Sequence, residues 1–358
     1  MTILNNIALA LVIFTLLIFT SCKTVTGNNN AKTNQTKIEF LSIEESKTAI
    51  LDETYEAYFS KLELREIEVV LGEELTTNNI VEARNFAKLK FSSAVISFNA
   101  DEKECITYVI NEMNSLLTKN QLGLVTNHPW KFIKIQDWLC GGYAHTRGEY
   151  IIISQKHLNS LTKKWSKNMS KEDSNSLITR LGSLLVHEQM HSIQRNYPEK
   201  FNRLYQNQWD FIKVTVNSPK EITVNQITNP DAPKPEWAFT YNNEVYWVRT
   251  LINPAIEHPK MGKDFMDIIF SLEEQKGSYS VKRDISNHLV QIGLKEFKNY
   301  DIRFPVNQGL DHPNEISAYM FSKYFISLYN NSNPFESSTG IAKENSEKFI
   351  TWAKTNLN

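Results

Sequence analysis

The pattern best able to do chemistry is His187-Glu188-Gln189-Met190-His191, two imidazoles four residues apart with a carboxylate beside the first. On a helix, residues four apart share a face. Both rings can therefore reach one zinc ion, with Glu188 next to a water bound there. Zinc lowers the pKa of such a water towards ~7, and the glutamate can take its proton and later deliver it to a leaving amine. Leu181, Leu184, Leu185, Val186, Met190 and Ile193 leave almost no polar face before Gln194. A helix apolar on most sides is buried. Its polar groups then need partners, because burial without them is costly. Two kinds of partner are open: a metal ion, or backbone groups around a purely structural His-Glu-His cluster.

Other elements must place this helix. From Ile43 to about Leu117 the pattern is mostly helical. Ile50, Tyr55, Tyr58, Phe59 and Leu62 recur mostly at three- and four-residue steps, and Leu64–Leu75, Ile80–Phe98 and Asp101–Leu117 follow. The period then changes. Trp130–Gln136 alternates large apolar with polar residues, Cys140-Gly141-Gly142 breaks it, and Tyr150–Ser154 reads as a second strand. A polar stretch, Lys163–Ser176, leads into the motif helix, about Ser176–Arg195. Asn229–Trp237 carries three prolines and reads as a loop. Helical patterns return near Asp264–Leu272, Asp284–Phe297, Pro313–Tyr329 and Ala342–Thr355. No linker divides residues 38–358. They read as one α+β unit with two lobes: an N-terminal lobe, 38–200, carrying the motif helix, and a mainly helical C-terminal lobe, 201–358.

Helix, strands and then a buried HExxH helix resemble the zincin fold of metallopeptidases. The resemblance implies a small sheet whose edge strand pairs with extended substrate through main-chain hydrogen bonds. Tyr150–Ser154 is the strand it points to. The metzincin pattern fails, since Gln194 and Tyr197 occupy its glycine and third-histidine positions. Downstream, Asp311-His312-Pro313-Asn314-Glu315 opens a helix with Ile316, Met320, Tyr324 and Leu328 on its apolar face. This is similar to the gluzincin arrangement, in which a glutamate on a later helix completes a His-His-Glu set. It implies Glu315 as the third ligand. A capping role stays open beside it: with Pro313 at the first helical position, Glu315 falls at N3, where a glutamate favours the helix dipole. The gluzincin asparagine-glutamate pair is present as Asn314-Glu315, but Tyr319 stands where an aspartate often follows. Without Glu315, the third ligand falls to Glu236, Glu244, Glu257 or His258.

Tyr241 and Tyr246, with Trp237 and Trp247, follow the proline loop and either line the cleft or fill the core. A tyrosine hydroxyl or His312 is a choice for stabilising an oxyanion. His145 and Arg147 lie just before Tyr150–Ser154, as substrate contacts or as part of a solvated turn.

The compartment is read from the N-terminus. Ile7–Phe19 is apolar except for Thr15, about 13 residues against the ~20 that span a bilayer. It suits a secretory signal over residues 1–21. Its ending, Thr20-Ser21-Cys22, resembles a bacterial lipobox, with Phe19 in place of the usual leucine and no Lys or Arg before the run. The resemblance implies a lipid on Cys22 and a flexible tether over residues 22–37, reaching roughly 20 Å. Lys23-Thr24-Val25-Thr26 lacks an acidic run and points to the periplasmic face of an outer membrane. Cys105 and Cys140 are left as a disulfide or as two buried thiols. The 358 residues carry 39 Lys plus Arg against 40 Asp plus Glu, a net charge of -1, so no field favours nucleic acid. The expectation is a lipid-anchored zinc metallopeptidase acting on peptide or protein. A non-catalytic binding lipoprotein and a zinc amidase acting on a non-peptide or cell-wall amide are the alternatives.

Overall fold

Alternating apolar residues make Trp130–Ile135 the central strand of a first sheet. Its five strands are β1 (Ile38–Phe40), β2 (Val95–Ile96), β3 (Trp130–Ile135), β4 (His145–Arg147) and β5 (Tyr150–Ser154). β1 and β5 run parallel to β3; β2 and β4 are antiparallel to their neighbours. The computed structural model describes residues 36–358, which cluster as one unit. The expected signal segment, Cys22 and nearly all of the expected tether lie outside the described residues. Among the described residues no helix is long and apolar enough to cross a membrane.

The period of two sorts the strand side chains. Phe132, Ile151 and Ile153 face one core with the backing helix (Ala100–Lys119) and the motif helix (Ser183–Asn196). Ile133, Ile135 and Ile152 face a second core made by the N-terminal helices. Tyr150–Ser154 is therefore interior, not the edge that the sequence suggested: β5 lies between β3 and β4, with Ile151, Ile152 and Ile153 fully buried. The edge is β4. It forms because Gly148, at φ 56, opens a two-residue turn between Arg147 and Tyr150.

The N-terminal region is helical as expected, with different ends. Ile50–Leu62 is not a continuous helix; it holds one 3-10 turn, Phe59–Lys61. The helix expected to reach Phe98 is Ile80–Ser93, because Val95 and Ile96 join the sheet. The motif helix is entered through Lys171–Leu177 and a π turn, Ile178–Gly182. Gly182 admits two neighbours at once: a β-carbon there would lie 3.1 Å from Met113 and 3.1 Å from Phe325. Cys105 and Cys140 are buried free thiols, not a disulfide.

The C-terminal lobe is not mainly helical. It holds a seven-stranded sheet of β6 (Phe211–Lys213), β7 (Val216–Asn217), β8 (Trp237–Tyr241), β9 (Glu244–Ile252), β10 (Phe265–Gln275), β11 (Ser278–Val281) and β12 (Gln291–Gly293). β10 and β12 replace two expected helices. Turn chemistry sets two hairpins of this sheet: Asn242 and Asn243, between β8 and β9, have φ 50 and 64, and Lys276 and Gly277, between β10 and β11, have φ 52 and 83. The last two helices, Pro313–Tyr329 and Gly340–Asn356, form as expected. The largest apolar core joins both lobes without a break. The mixed α+β class holds.

Candidate functional site

The motif helix is buried from Leu185 to Gln194, which puts His187, Glu188 and His191 inside the protein. The Pro313–Tyr329 helix packs along it and brings Glu315 to both imidazoles. His187 Nε2 lies 3.2 Å from His191 Nε2 and 3.4 Å from a Glu315 oxygen. The other Glu315 oxygen is 3.6 Å from His191 Nε2. Among the described residues these three form the one group of metal-type donors that converge within 4.8 Å. Four donors around an ion at 2.0–2.2 Å in a tetrahedron are about 3.3–3.6 Å apart, so the spacing suits a small tetrahedral cation.

The cap at this helix comes from another residue. His312 is the N-cap, and its Nδ1 accepts from the Asn314 N–H at 3.1 Å. Its Nε2–H donates to the Lys234 carbonyl at 3.2 Å. Both ring nitrogens are thus occupied, and burial holds the imidazole down to about 4. His312 is a cap, not an oxyanion donor. Glu315, at N3 as expected, turns its carboxylate to the histidines.

His191 has a fixed orientation. The Gln194 amide nitrogen donates to the Asn314 carbonyl and to Ser317 Oγ, each at 2.9 Å. Its oxygen is left to accept, so His191 Nδ1–H donates to it at 2.9 Å. The Nε2 lone pair then points at Glu315 and His187. Burial holds His191 down to about 3, in its neutral, metal-ready form. His187 differs. Its Nδ1 is buried without a partner among the described residues, and the Tyr319 ring packs over it at 4.3 Å between centroids.

Glu188 is positioned from the edge strand. Thr146 Oγ1 donates to its Oε2 at 2.8 Å. Burial, aided by the charge on Glu315 and opposed by Thr146, pushes the Glu188 carboxyl up to about 8. Burial also acts against ionised Glu315, but the two histidines and the Asn229 amide hold it down to about 2.

The proline loop supplies residues that the sequence did not reveal. Asn229 Nδ2 donates to Glu315 Oε1 at 2.8 Å. The Asp231 N–H donates back to Asn229 Oδ1 at 2.9 Å, and an Asp231 carboxylate oxygen accepts from the Thr146 N–H. Burial first, then Glu188 and Glu315, raise the Asp231 carboxyl above its usual range. Asn-Pro-Asp is a turn signal in the sequence, but nothing in it shows which carboxylate the turn will meet.

A cavity of about 650 Å³ opens in front of His187, Glu188 and Glu315, with Ala144, Asp231 and Asp311 on its walls. Tyr241 and Tyr246 do not reach it. Tyr246 stacks on Phe239, both tyrosines lie against Phe297, and Trp247 is core. His145 and Arg147 also point elsewhere. Both are buried on β4, and Arg147 lies 4.1 Å over the Tyr58 ring. They are neither a solvated turn nor part of the cavity wall. Outside the triad, Glu236 and Glu244 pair with Lys213 and Lys282, and His258 lies 3.0 Å from a Glu74 oxygen. Glu257 is also absent from the triad. Comparison of the chain with protein-family models, curated proteins and solved structures finds no match in any of the three.

Proposed function

We propose that the protein is a zinc-dependent hydrolase of peptide bonds. The observation that carries this reading is the convergence of His187 Nε2, His191 Nε2 and the Glu315 carboxylate at 3.2–3.6 Å, with Glu188 beside them at a cavity. Two imidazoles and one carboxylate are a donor set of the catalytic zinc type, which leaves a fourth position open. Zinc bound there supplies a Lewis acid that acidifies water and polarises a carbonyl.

The chain's own residues do the rest. Gln194 holds His191 in the tautomer with Nε2 free. Asn229 orients Glu315. Glu188, steadied by Thr146, takes a proton from the attacking water and returns it to the leaving nitrogen.

Glu188→Gln tests the mechanism. The amide fills the same space but cannot accept the proton. The variant is expected to keep its zinc and lose at least ~100-fold in hydrolysis of a quenched fluorogenic peptide pool. Unchanged turnover would contradict the assignment. The lipid anchor belongs to the same proposal, with the protein at the periplasmic face of an outer membrane. Cys22→Ala is expected to move the protein from the detergent phase to the aqueous phase; equal partitioning would contradict it.

A further inference from the structure

The proline loop forms a wall across the site. It starts at the edge strand, where Asp231 takes the Thr146 N–H. It ends at the second site helix, where Asn229 holds Glu315. Arg195 fixes it from behind by donating to the Thr146, Pro230 and Asp231 carbonyls at 3.2, 2.7 and 3.1 Å. On one side lies the cavity with His187, Glu188 and Ala144. On the other lies a separate cavity of about 380 Å³, reached by Ala232, Lys234 and His312. The two share no lining residue. An extended polypeptide cannot run through the site from one cavity to the other.

The same wall limits pairing along β4. Thr146 turns its N–H and C=O away from β5, and both are already taken, by Asp231 and Arg195. The next outward residue by strand alternation is Ala144, at the cavity wall. Its N–H and C=O have no protein partner among the described residues. One main-chain rung is therefore open, on the cavity side of Glu188 only.

Charge decides which end of a peptide meets the wall. Asp231 stands at the closed end, with Glu188 one residue away through Thr146. Arg195, behind the wall, pairs with Glu56 and donates to loop carbonyls. A terminal ammonium supplies the opposite charge that lets Asp231 ionise there, whereas a terminal carboxylate would meet the two acids instead. A peptide with its amino terminus at Asp231 runs antiparallel to β4, from Thr146 towards Ala144, which is also the better pairing sense.

Resting on the zinc hydrolase reading, we propose that the site trims peptides from a free amino terminus, with Asp231 receiving the α-ammonium group. Water's oxygen joins the carbonyl carbon of the first residue, the C–N bond breaks, and the proton reaches the leaving nitrogen through Glu188. Asp231 is then the residue that sets specificity, and the remainder of the peptide lies in the larger cavity.

The test is a binding measurement on Glu188→Gln protein, which holds peptide without turnover. The probes are an alanine pentapeptide with a free amino terminus and its N-acetylated counterpart, titrated by calorimetry into protein of measured zinc content. The free peptide is expected to bind at least ~10-fold tighter, the low end for a hydrogen bond to a charged group. Asp231→Asn in the same background keeps an acceptor for the Thr146 N–H and should abolish the difference. Equal binding of both peptides to zinc-loaded protein, or of neither, overturns this inference alone. Protein that holds no zinc overturns the hydrolase reading beneath it.

Discussion

The two histidines of the motif helix differ in how they are held. His191 is fully buried and oriented by Gln194, itself tied to Asn314 and Ser317, with Tyr205 behind them. His187 stands at the cavity with an unpartnered Nδ1 beneath Tyr319. One half of the site is built into the core before any ion binds. The other is completed by what enters the cavity. A preformed half keeps the donor geometry, and an open half lets a fourth position exchange.

The largest effects should come from the histidines, and they should differ. Both His187→Ala and His191→Ala are expected to lose zinc. His191→Ala should also lower the stability of the metal-free protein by about 1–3 kcal/mol, because it leaves the Gln194 oxygen buried and unpaired. His187→Ala should cost less, since His191 and Asn229 still partner Glu315, and urea denaturation in chelator compares them. Equal losses would erase the distinction between the two halves.

Next is Glu315→Gln, which keeps the side chain's size and the hydrogen bond from Asn229 but removes its charge. Zinc affinity should fall at least ~10-fold in a chelator competition. Metal-free melting should change by a few degrees at most, since His312 provides the cap. Parent-like affinity would remove Glu315 from the ligand set. Gln194→Ala should be milder, about 10-fold in affinity, since it frees His191 to rotate without removing a donor. An unaffected titration would show that packing alone orients the ring.

The smallest effect is on pH dependence, through Glu66. This buried acid accepts from the Thr228 N–H and hydroxyl and so anchors the loop carrying Asn229. Burial, opposed by those donors, pushes it up to about 8 from an ordinary 4.5. Between those values the folded state binds more protons than the unfolded state, so its contribution to stability falls as pH rises. Glu66→Gln should flatten that fall between pH 5 and 8 in metal-free protein. A parental slope would place the titration elsewhere.

The readable parts of the site were those set by local spacing. HExxH fixes two imidazoles on one face, and apolar residues around it dictate burial. Pro313 marks the start of the helix that carries Glu315. Asn229, Asp231 and Thr146 were not readable, because their roles come from long-range packing of a loop on an edge strand. β10 was misread because Phe265, Ile268, Ile269 and Leu272 fit a helical period as well as a strand buried on both faces. Lys276-Gly277, the turn that ends β10, is the signal that corrects it. The edge was misplaced for a similar reason. A run such as Ile151-Ile152-Ile153 marks a strand between two others, and the shorter, polar His145-Thr146-Arg147 takes the rim.

The most direct test of the central claim is the zinc stoichiometry of the purified protein after dialysis against metal-free buffer. One zinc per chain is expected in the parent and none in a His187→Ala, His191→Ala double variant that retains the parent's circular dichroism. A parent that emerges from zinc-replete expression without zinc, or a double variant that keeps it, would show that these residues hold no catalytic zinc.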